Sequence, residues 1–153
     1  MDIHAANGSS FHLKVVSYEF PEQEDEKWDS NWLKIHMAVR LPQGSWSVTT
    51  PFLLTYEIED LANWFDDVVT HTQTENEIGF TEPNLSFDVI KTTHGAICLR
   101  IHFAIECLPP WANRTKYGTE DVFADFPLSE IDLRSAAEAL RSQLTLYPQR
   151  ATR

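Results

Sequence analysis

The chain has 153 residues, of which 42% are hydrophobic, and its 23 aspartates and glutamates against 12 lysines and arginines give a formal net charge of −11. This length predicts one domain over residues 1–153, with enough buried surface to fold without a disulfide or a metal. The negative charge disfavours nucleic acid and anionic membranes as partners. No apolar run approaches the roughly 20 residues that cross a bilayer, and no secretory signal is recognisable, so we expect a cytoplasmic protein.

The first third of the chain is predicted to contain three strands. Residues 11–20 and 32–41 alternate apolar with polar side chains, which is the period of a half-buried strand. Pro42 and Gly44 indicate a turn, and residues 45–49 are predicted to return as the second strand of a hairpin. The three strands are expected to pair as an antiparallel meander.

A helix is predicted to begin at Thr55, which would be its N-cap, with acidic residues in its first turns. Apolar residues recur at helical spacing over the next four turns: Ile58, Leu61, Ala62, Phe65, Val68 and Val69. Polar residues 70–76 are expected to end the helix. Asp60, Asn63 and Asp67 are predicted to lie away from the apolar stripe, where a partner can reach them.

Three further strands are predicted at residues 78–81, 85–92 and 96–106, with a turn at His94 and Gly95 between the last two. An unbroken apolar row favours a central position for the third of them: Ile97, Leu99, Ile101, Phe103 and Ile105. Residues 108–120 contain Arg114 and Lys116 and are predicted to form a loop. A seventh strand is expected at residues 117–126.

The C-terminal region predicts a second helix. Ser129 and Asp132 have the spacing of a capping box, and Tyr147 with Pro148 is expected to end the helix. Its apolar stripe consists of Leu133, Ala136, Ala137, Leu140 and Leu144. Together the elements predict an α+β fold: a mostly antiparallel, curved sheet of six or seven strands, with one helix after the third strand and one at the C-terminus.

The sequence shows no signature of catalysis. It has no glycine-rich phosphate loop, and its six histidines have no metal-binding spacing, so neither a cofactor nor a metal is expected. Cys98 is the best candidate nucleophile, but His102 lies about 13 Å away along the same strand. The neighbouring pairs Asp25–Glu26 and Asp66–Asp67 should diverge rather than face each other. We expect no enzyme, and a small hydrolase that uses Cys98 or an acidic pair is the least favoured alternative.

Acidic residues are concentrated in two segments. Between Arg40 and Lys91 there are nine carboxylates and no lysine or arginine, and residues 19–29 hold six carboxylates against one lysine. Such surfaces favour cationic partners, although a solvated face that keeps the protein soluble is the simpler interpretation.

The order of aromatic and proline residues resembles the WapI family of bacterial immunity proteins. The resemblance rests on several segments: Tyr18-Glu19-Phe20-Pro21, Trp28-Asp29-Ser30-Asn31-Trp32-Leu33, Trp46, Pro51-Phe52-Leu53-Leu54-Thr55, Leu61, Trp64-Phe65, Leu140 and Tyr147-Pro148-Gln149-Arg150. It implies a protein that binds and neutralises the C-terminal toxin domain of a wall-associated or related polymorphic toxin. No catalytic residues accompany such a family.

Charge and resemblance together predict a cognate toxin domain, expected to be basic, as the partner. Seven carboxylates are expected to steer it: Glu22, Glu24, Asp25, Glu26, Asp29, Asp66 and Asp67. Trp28 is the predicted aromatic anchor, and Trp111 is the other candidate. Trp32, Trp46 and Trp64 are interpreted as core residues. The alternative is a small binding or assembly module for another basic protein.

Overall fold

The computed structural model describes residues 1–93, 96–115 and 118–151. Its strands are β1 (Asp2–His4), β2 (Ser10–Tyr18), β3 (Trp32–Leu41), β4 (Gly44–Leu54), β5 (Glu77–Gly79), β6 (Leu85–Thr93), β7 (Ala96–Phe103), β8 (Arg114–Thr115), β9 (Gly118–Thr119) and β10 (Val122–Ser129). The helices are α1 (Thr55–Thr70) and α2 (Glu130–Leu146), with short 3-10 helices at Asp29–Asn31 and Ile105–Cys107.

The strands form two antiparallel sheets, not one. The first has the order β1-β2-β3-β4 and the second the order β10-β7-β6-β5, while β8 and β9 form a separate hairpin. The α+β class is therefore confirmed, but the prediction of a single curved sheet of six or seven strands is wrong. Alternation of apolar and polar residues shows which face of a strand is buried and carries no information about which strand is its neighbour.

The predicted meander is confirmed, because β2, β3 and β4 pair in sequence order. The three-residue β1, which pairs with β2, is absent from the prediction because it is too short to show a period. Helix α1 consequently follows the fourth strand rather than the third. The chain passes from Leu54 directly into this helix and so leaves the first sheet.

The two sheets and α1 share one aromatic core centred on Phe87 of β6. Its ring lies 6.0 Å from that of Phe11 on β2, 6.0 Å from that of Phe65 on α1 and 6.1 Å from that of Phe80, each edge-on. Edge-to-face packing of this kind stabilises beyond the burial of area alone. The core thus joins the sheets across their inner faces, and their outer faces are available for polar residues.

The central position of β7 is confirmed, since it lies between β6 and β10. Its predicted extent is wrong at the C-terminal end. Ile97 and Phe103 are buried, but Ile105 is 46% exposed and has a positive φ of 51°. The backbone therefore leaves the strand after Phe103, and the apolar row ends there rather than at Ile105, two residues earlier than its period indicates.

Both helix starts involve a carboxylate. The N-cap of α1 is Leu54 rather than Thr55, so that detail of the prediction is wrong. The buried Glu57 carboxylate instead accepts hydrogen bonds from the N–H groups of Leu54 (2.8 Å) and Thr81 (2.6 Å). At α2 the predicted capping box is confirmed, because Ser129 and Asp132 exchange hydrogen bonds through side chain and backbone.

The last strand is displaced from its expected position. β10 begins at Val122 and runs through Pro127 to the cap of α2, whereas the sequence predicts a strand over residues 117–126. Proline is tolerated there because β10 is an edge strand, where a missing N–H breaks no ladder. The turn predicted at His94 and Gly95, and Lys116 of the basic loop, lie outside the described residues.

Candidate partner-binding surface

Residues 19–29 connect β2 to the first 3-10 helix, and we call this segment the acidic loop. Five of its carboxylates are exposed to solvent: Glu22, Glu24, Asp25, Glu26 and Asp29. Among the side chains that the structure describes, no basic one forms an ion pair with any of them. Their negative charge therefore faces solvent and is not neutralised by any of these basic side chains.

Arg150 anchors the backbone of the acidic loop from the C-terminal tail. Its Nη1 donates hydrogen bonds to the carbonyl oxygens of Pro21 and Gln23, both at 2.8 Å, and a longer one to that of Phe20. The guanidinium lies over the ring of Tyr18, 3.5 Å from its centroid. Because Arg150 binds carbonyl groups, it orders the loop without neutralising its carboxylates one by one.

Asn31 provides a second anchor beneath the loop, and its side chain is fully buried. Its Nδ2 donates to the carbonyl of Lys27 at 2.9 Å, while its Oδ1 accepts from the hydroxyl of Thr55 at 2.7 Å and from the backbone N–H of Arg150 at 3.1 Å. One amide thus links the acidic loop, the start of α1 and the C-terminal tail.

Trp28 lies at the surface near the end of the loop, and 51% of it is exposed. Its ring packs edge-on against Tyr56, with centroids 6.2 Å apart, and the Nζ of Lys27 lies 5.0 Å above the indole. Beside it, a groove of about 460 Å³ separates the loop from the N-terminal end of α1 and from the segment that contains β5. Trp28 is therefore oriented by a neighbour and yet accessible.

The structure does not bring Asp66 and Asp67 to the acidic loop. Both lie near the C-terminal end of α1, about 15 Å along the helix axis from Tyr56. Asp66 forms an ion pair with Arg141 of α2 at 2.7 Å, and Asp67 accepts a hydrogen bond from the Thr72 hydroxyl at 3.2 Å. The predicted steering residues thus separate into an exposed group on the loop and a pair on α1, of which one is neutralised.

The other candidate anchor, Trp111, is a packing residue. It is 41% exposed, but its ring stands edge-on to the buried Trp46 with centroids 5.4 Å apart. It also covers Gly44, where a Cβ would come within 2.8 Å of the indole and where φ is +154°. Trp46 and Trp64 are buried, as predicted, and Trp32 is half-buried.

The outer side of the second sheet holds a different arrangement of charges, which we call the polar face: Asp88, Arg100, His102, Asp121 and Asp125. Arg100 makes two hydrogen bonds to Asp125, at 2.7 and 3.0 Å. His102 contacts Asp88 through Nε2 at 2.7 Å and Asp121 through Nδ1 at 3.0 Å. Burial alone would lower the pKa of His102, but the hydrogen bonds to Asp121 and Asp88 outweigh it and raise that pKa.

This geometry gives the hydrolase alternative no support. Both ring nitrogens of His102 are engaged by carboxylates, so His102 is not poised to activate Cys98 on the same strand. Burial raises the pKa of the Cys107 thiol to about 12, which makes it unreactive. In the part of the chain that the structure describes, no group of three or more His, Cys, Asp or Glu side chains could hold a metal ion. None of the described helices is long and apolar enough to span a membrane.

The sequence predicts the acidic loop and Trp28 as a binding surface but does not reveal the residues that hold them in place. Asn31 and Arg150 act over 119 residues of sequence separation, which no local pattern reveals. The available signal was their presence in the segments that carry the family resemblance. The groove residues Tyr56 and Phe80 were likewise missed, because α1 and the segment after β5 become neighbours only in the folded chain.

The two sheets, the two helices and the exposed acidic loop define a small α+β protein of negative net charge. The model of the immunity protein WapI-like family matches residues 2–148, and the chain belongs to this family. The match confirms the resemblance seen in the order of aromatic and proline residues, and it indicates a role in toxin immunity. A comparison with curated proteins gave no match.

Proposed function

We propose that this protein binds a cognate toxin domain stoichiometrically and neutralises it through the acidic loop, without catalysis. The observation that carries the proposal is the state of five loop carboxylates, which are exposed and unpaired among the described residues while the backbone beneath them is anchored by Arg150 and Asn31. Membership in an immunity protein family supplies the class of partner.

A displayed acidic surface has two effects on association with a basic partner. Its field accelerates the diffusional encounter, and at low salt such steering raises association rates by roughly 10- to 1,000-fold. Anchoring reduces the conformational entropy that the loop loses when it binds, so more of the interaction energy contributes to affinity. A basic toxin domain that acts on nucleic acid would be blocked at its substrate groove by such a surface.

Trp28 is proposed as the anchor at the edge of this surface. Exposed tryptophans ringed by polar residues are typical energetic centres of protein interfaces. Asp67 is proposed to extend the acidic surface along α1, whereas Asp66 contributes less because Arg141 balances its charge. Residues 1–153 are proposed to act as one domain, which the shared core of the two sheets and the helices supports.

Co-expression with the toxin domain encoded beside this gene tests the proposal. We expect growth rescue and a stoichiometric complex that weakens as salt is raised. The double variant Glu24→Lys/Asp25→Lys should lower the association rate about tenfold or more at low salt, with a smaller salt dependence. Glu130→Lys/Glu138→Lys on α2 changes the net charge equally and is the matched control.

Two results would overturn the proposal in different ways. The absence of both rescue and complex would remove toxin neutralisation as the function. Rescue with equal association rates for the loop variant and the α2 control would retain immunity but exclude the acidic loop as the steering surface.

A further inference from the structure

We propose that the groove beside Trp28 binds an arginine side chain of the partner; the inference rests on the proposed function and specifies what its site recognises. The groove, of about 460 Å³, has aromatic and aliphatic walls and two carboxylates, those of Glu57 and Asp60. The residues used in the argument are Lys27, Trp28, Tyr56, Asp60, Ile78 and Phe80.

The indole of Trp28 presents a face that already attracts a cation. Lys27 Nζ lies 5.0 Å from the centre of the ring, within the range of a cation–π interaction. Tyr56 contacts the indole edge-on and therefore orients it without covering both faces. Lys27 thus occupies a position over the indole, and a cationic ligand that binds there more tightly would displace it.

Arginine fits this position better than lysine does. Its guanidinium is planar, stacks on an aromatic face and is more weakly hydrated than an ammonium group, so it loses less on entering a groove. The aliphatic part of an arginine side chain can lie against Ile78 and Phe80, which both line the groove and are half-buried.

Charge complementarity supports the same occupant. Asp60 places a carboxylate in the wall of the groove, and Lys27 and Trp28 of the acidic loop, whose carboxylates are exposed, also line it. Glu57 also lines the groove, but its two oxygens already accept N–H groups of Leu54 and Thr81. Of these two carboxylates Glu57 is buried and Asp60 is half-buried, so Asp60 is the one that we assign to the guanidinium.

Short peptides test this assignment without the toxin. Acetyl-Gly-Arg-Gly-amide, its lysine analogue and its uncharged citrulline analogue are titrated while the indole N–H signals are followed by NMR, with the Trp28 signal assigned from Trp28→Phe. We expect the arginine peptide to shift the Trp28 signal and to bind about threefold more tightly than the lysine peptide. The citrulline peptide should give no shift, and the Trp111 signal is the internal control.

Two variants sharpen the result. Asp60→Asn should weaken arginine binding by several-fold, because the counter-charge is lost. Lys27→Gln should strengthen it more than the charge-matched Lys34→Gln does, because only Lys27 occupies the indole face. Equal shifts at Trp28 and Trp111, or no preference for arginine over citrulline, would overturn the assignment.

The failure of this inference is distinguishable from failure of the proposed function. Arginine binding at Trp28 without growth rescue by the protein would retain the groove and remove toxin neutralisation. If rescue occurs while Trp28→Ala and Asp60→Asn dissociate from the toxin domain at the wild-type rate, immunity stands and the groove assignment falls.

Discussion

The acidic loop and the polar face of the second sheet contain the same kinds of residues in opposite states. On the polar face, Asp88 and Asp121 flank His102, and Asp125 holds Arg100 through two hydrogen bonds. On the loop, the carboxylates form no ion pair among the described side chains: Arg150 binds backbone carbonyls, and Lys27 lies over the indole of Trp28. The carboxylates of the polar face are paired with basic side chains, whereas those of the acidic loop are displayed to solvent.

The difference shows why net charge alone does not identify an interface. A carboxylate paired at 2.7 Å adds little to the field felt by a distant partner, because its charge is largely cancelled by its neighbour. Carboxylates on one loop repel each other, and the backbone hydrogen bonds that anchor the loop hold them close together against this repulsion. The region to test as a binding surface is therefore the anchored and unpaired one.

The largest expected effect breaks the anchor beneath the loop. Asn31→Ala should lower the free energy of unfolding by about 2–3 kcal/mol, because the buried hydroxyl of Thr55 and the backbone groups of Lys27 and Arg150 lose their hydrogen bonds to the buried Asn31 side chain. Urea denaturation measures the change. Asn63→Ala is the matched control, since Asn63 is exposed and contacts Arg141 on the surface. A cost within about 0.5 kcal/mol of the control would contradict the anchoring role.

A second prediction separates the two exposed tryptophans. Trp111→Ala should lower the free energy of unfolding by about 2 kcal/mol, because the contact between the partly exposed Trp111 ring and Trp46 is removed. The variant should bind the toxin domain as the wild type does. Trp28→Ala should give the reverse: a small change in stability and faster dissociation of the complex. Thermal unfolding of both variants measures the change in stability, and the dissociation rates of their complexes with the toxin domain measure the change in binding. Equal effects of the two variants on dissociation would remove the distinction between packing and binding tryptophans.

A third prediction concerns the ordering of the loop itself. Arg150→Ala should cost about 1 kcal/mol and raise the rate at which a glutamate-specific protease cleaves the loop by roughly tenfold, since local opening becomes easier. Arg150→Lys should restore little, because an ammonium group lacks the planar fork and stacks less well on Tyr18. Arg134→Ala on α2 is the control. Cleavage rates that are equal across the three variants would show that the tail does not order the loop.

Local periodicity explains what could be predicted from the sequence and what could not. The helix over Thr55–Thr70 and the capping box at Ser129 follow from spacings within a few residues, and both are observed. The division into two sheets depends on which strands pair, which alternation does not encode. Ile105 fits the strand pattern by type, but a positive φ takes it out of the strand.

The candidate surface was predictable to the same extent. The acidic loop and Trp28 stand out in composition, whereas the contacts of Arg150 join positions that are 127 to 130 residues apart. Pairing of Asp66 with Arg141 across two helices is a long-range contact of the same kind, and the sequence shows both side chains only as separate surface charges. Whether a charge is displayed or balanced is therefore a property of the fold.

The smallest expected effect, a dependence of stability on pH, belongs to the polar face alone. Although burial lowers it, the pKa of His102 is raised by hydrogen bonds to Asp121 and Asp88, so the imidazolium stabilises the folded state fully below the ordinary histidine pKa of about 6.5. This contribution is lost as pH rises through the folded-state pKa. The nearby charges on the neighbouring elements are Glu77, Asp88, Arg100, Glu120 and Asp121.

We therefore expect the unfolding free energy of the wild type to decline as pH rises above about 6.5, relative to that of His102→Gln, as measured by urea denaturation at each pH. His4→Gln, at an exposed histidine, should retain the wild-type slope. Binding of the toxin domain should show no matching step, because His102 lies on the face whose charges are balanced internally. A step in association rate that disappears in His102→Gln would mean that the polar face, and not the acidic loop alone, contacts the partner.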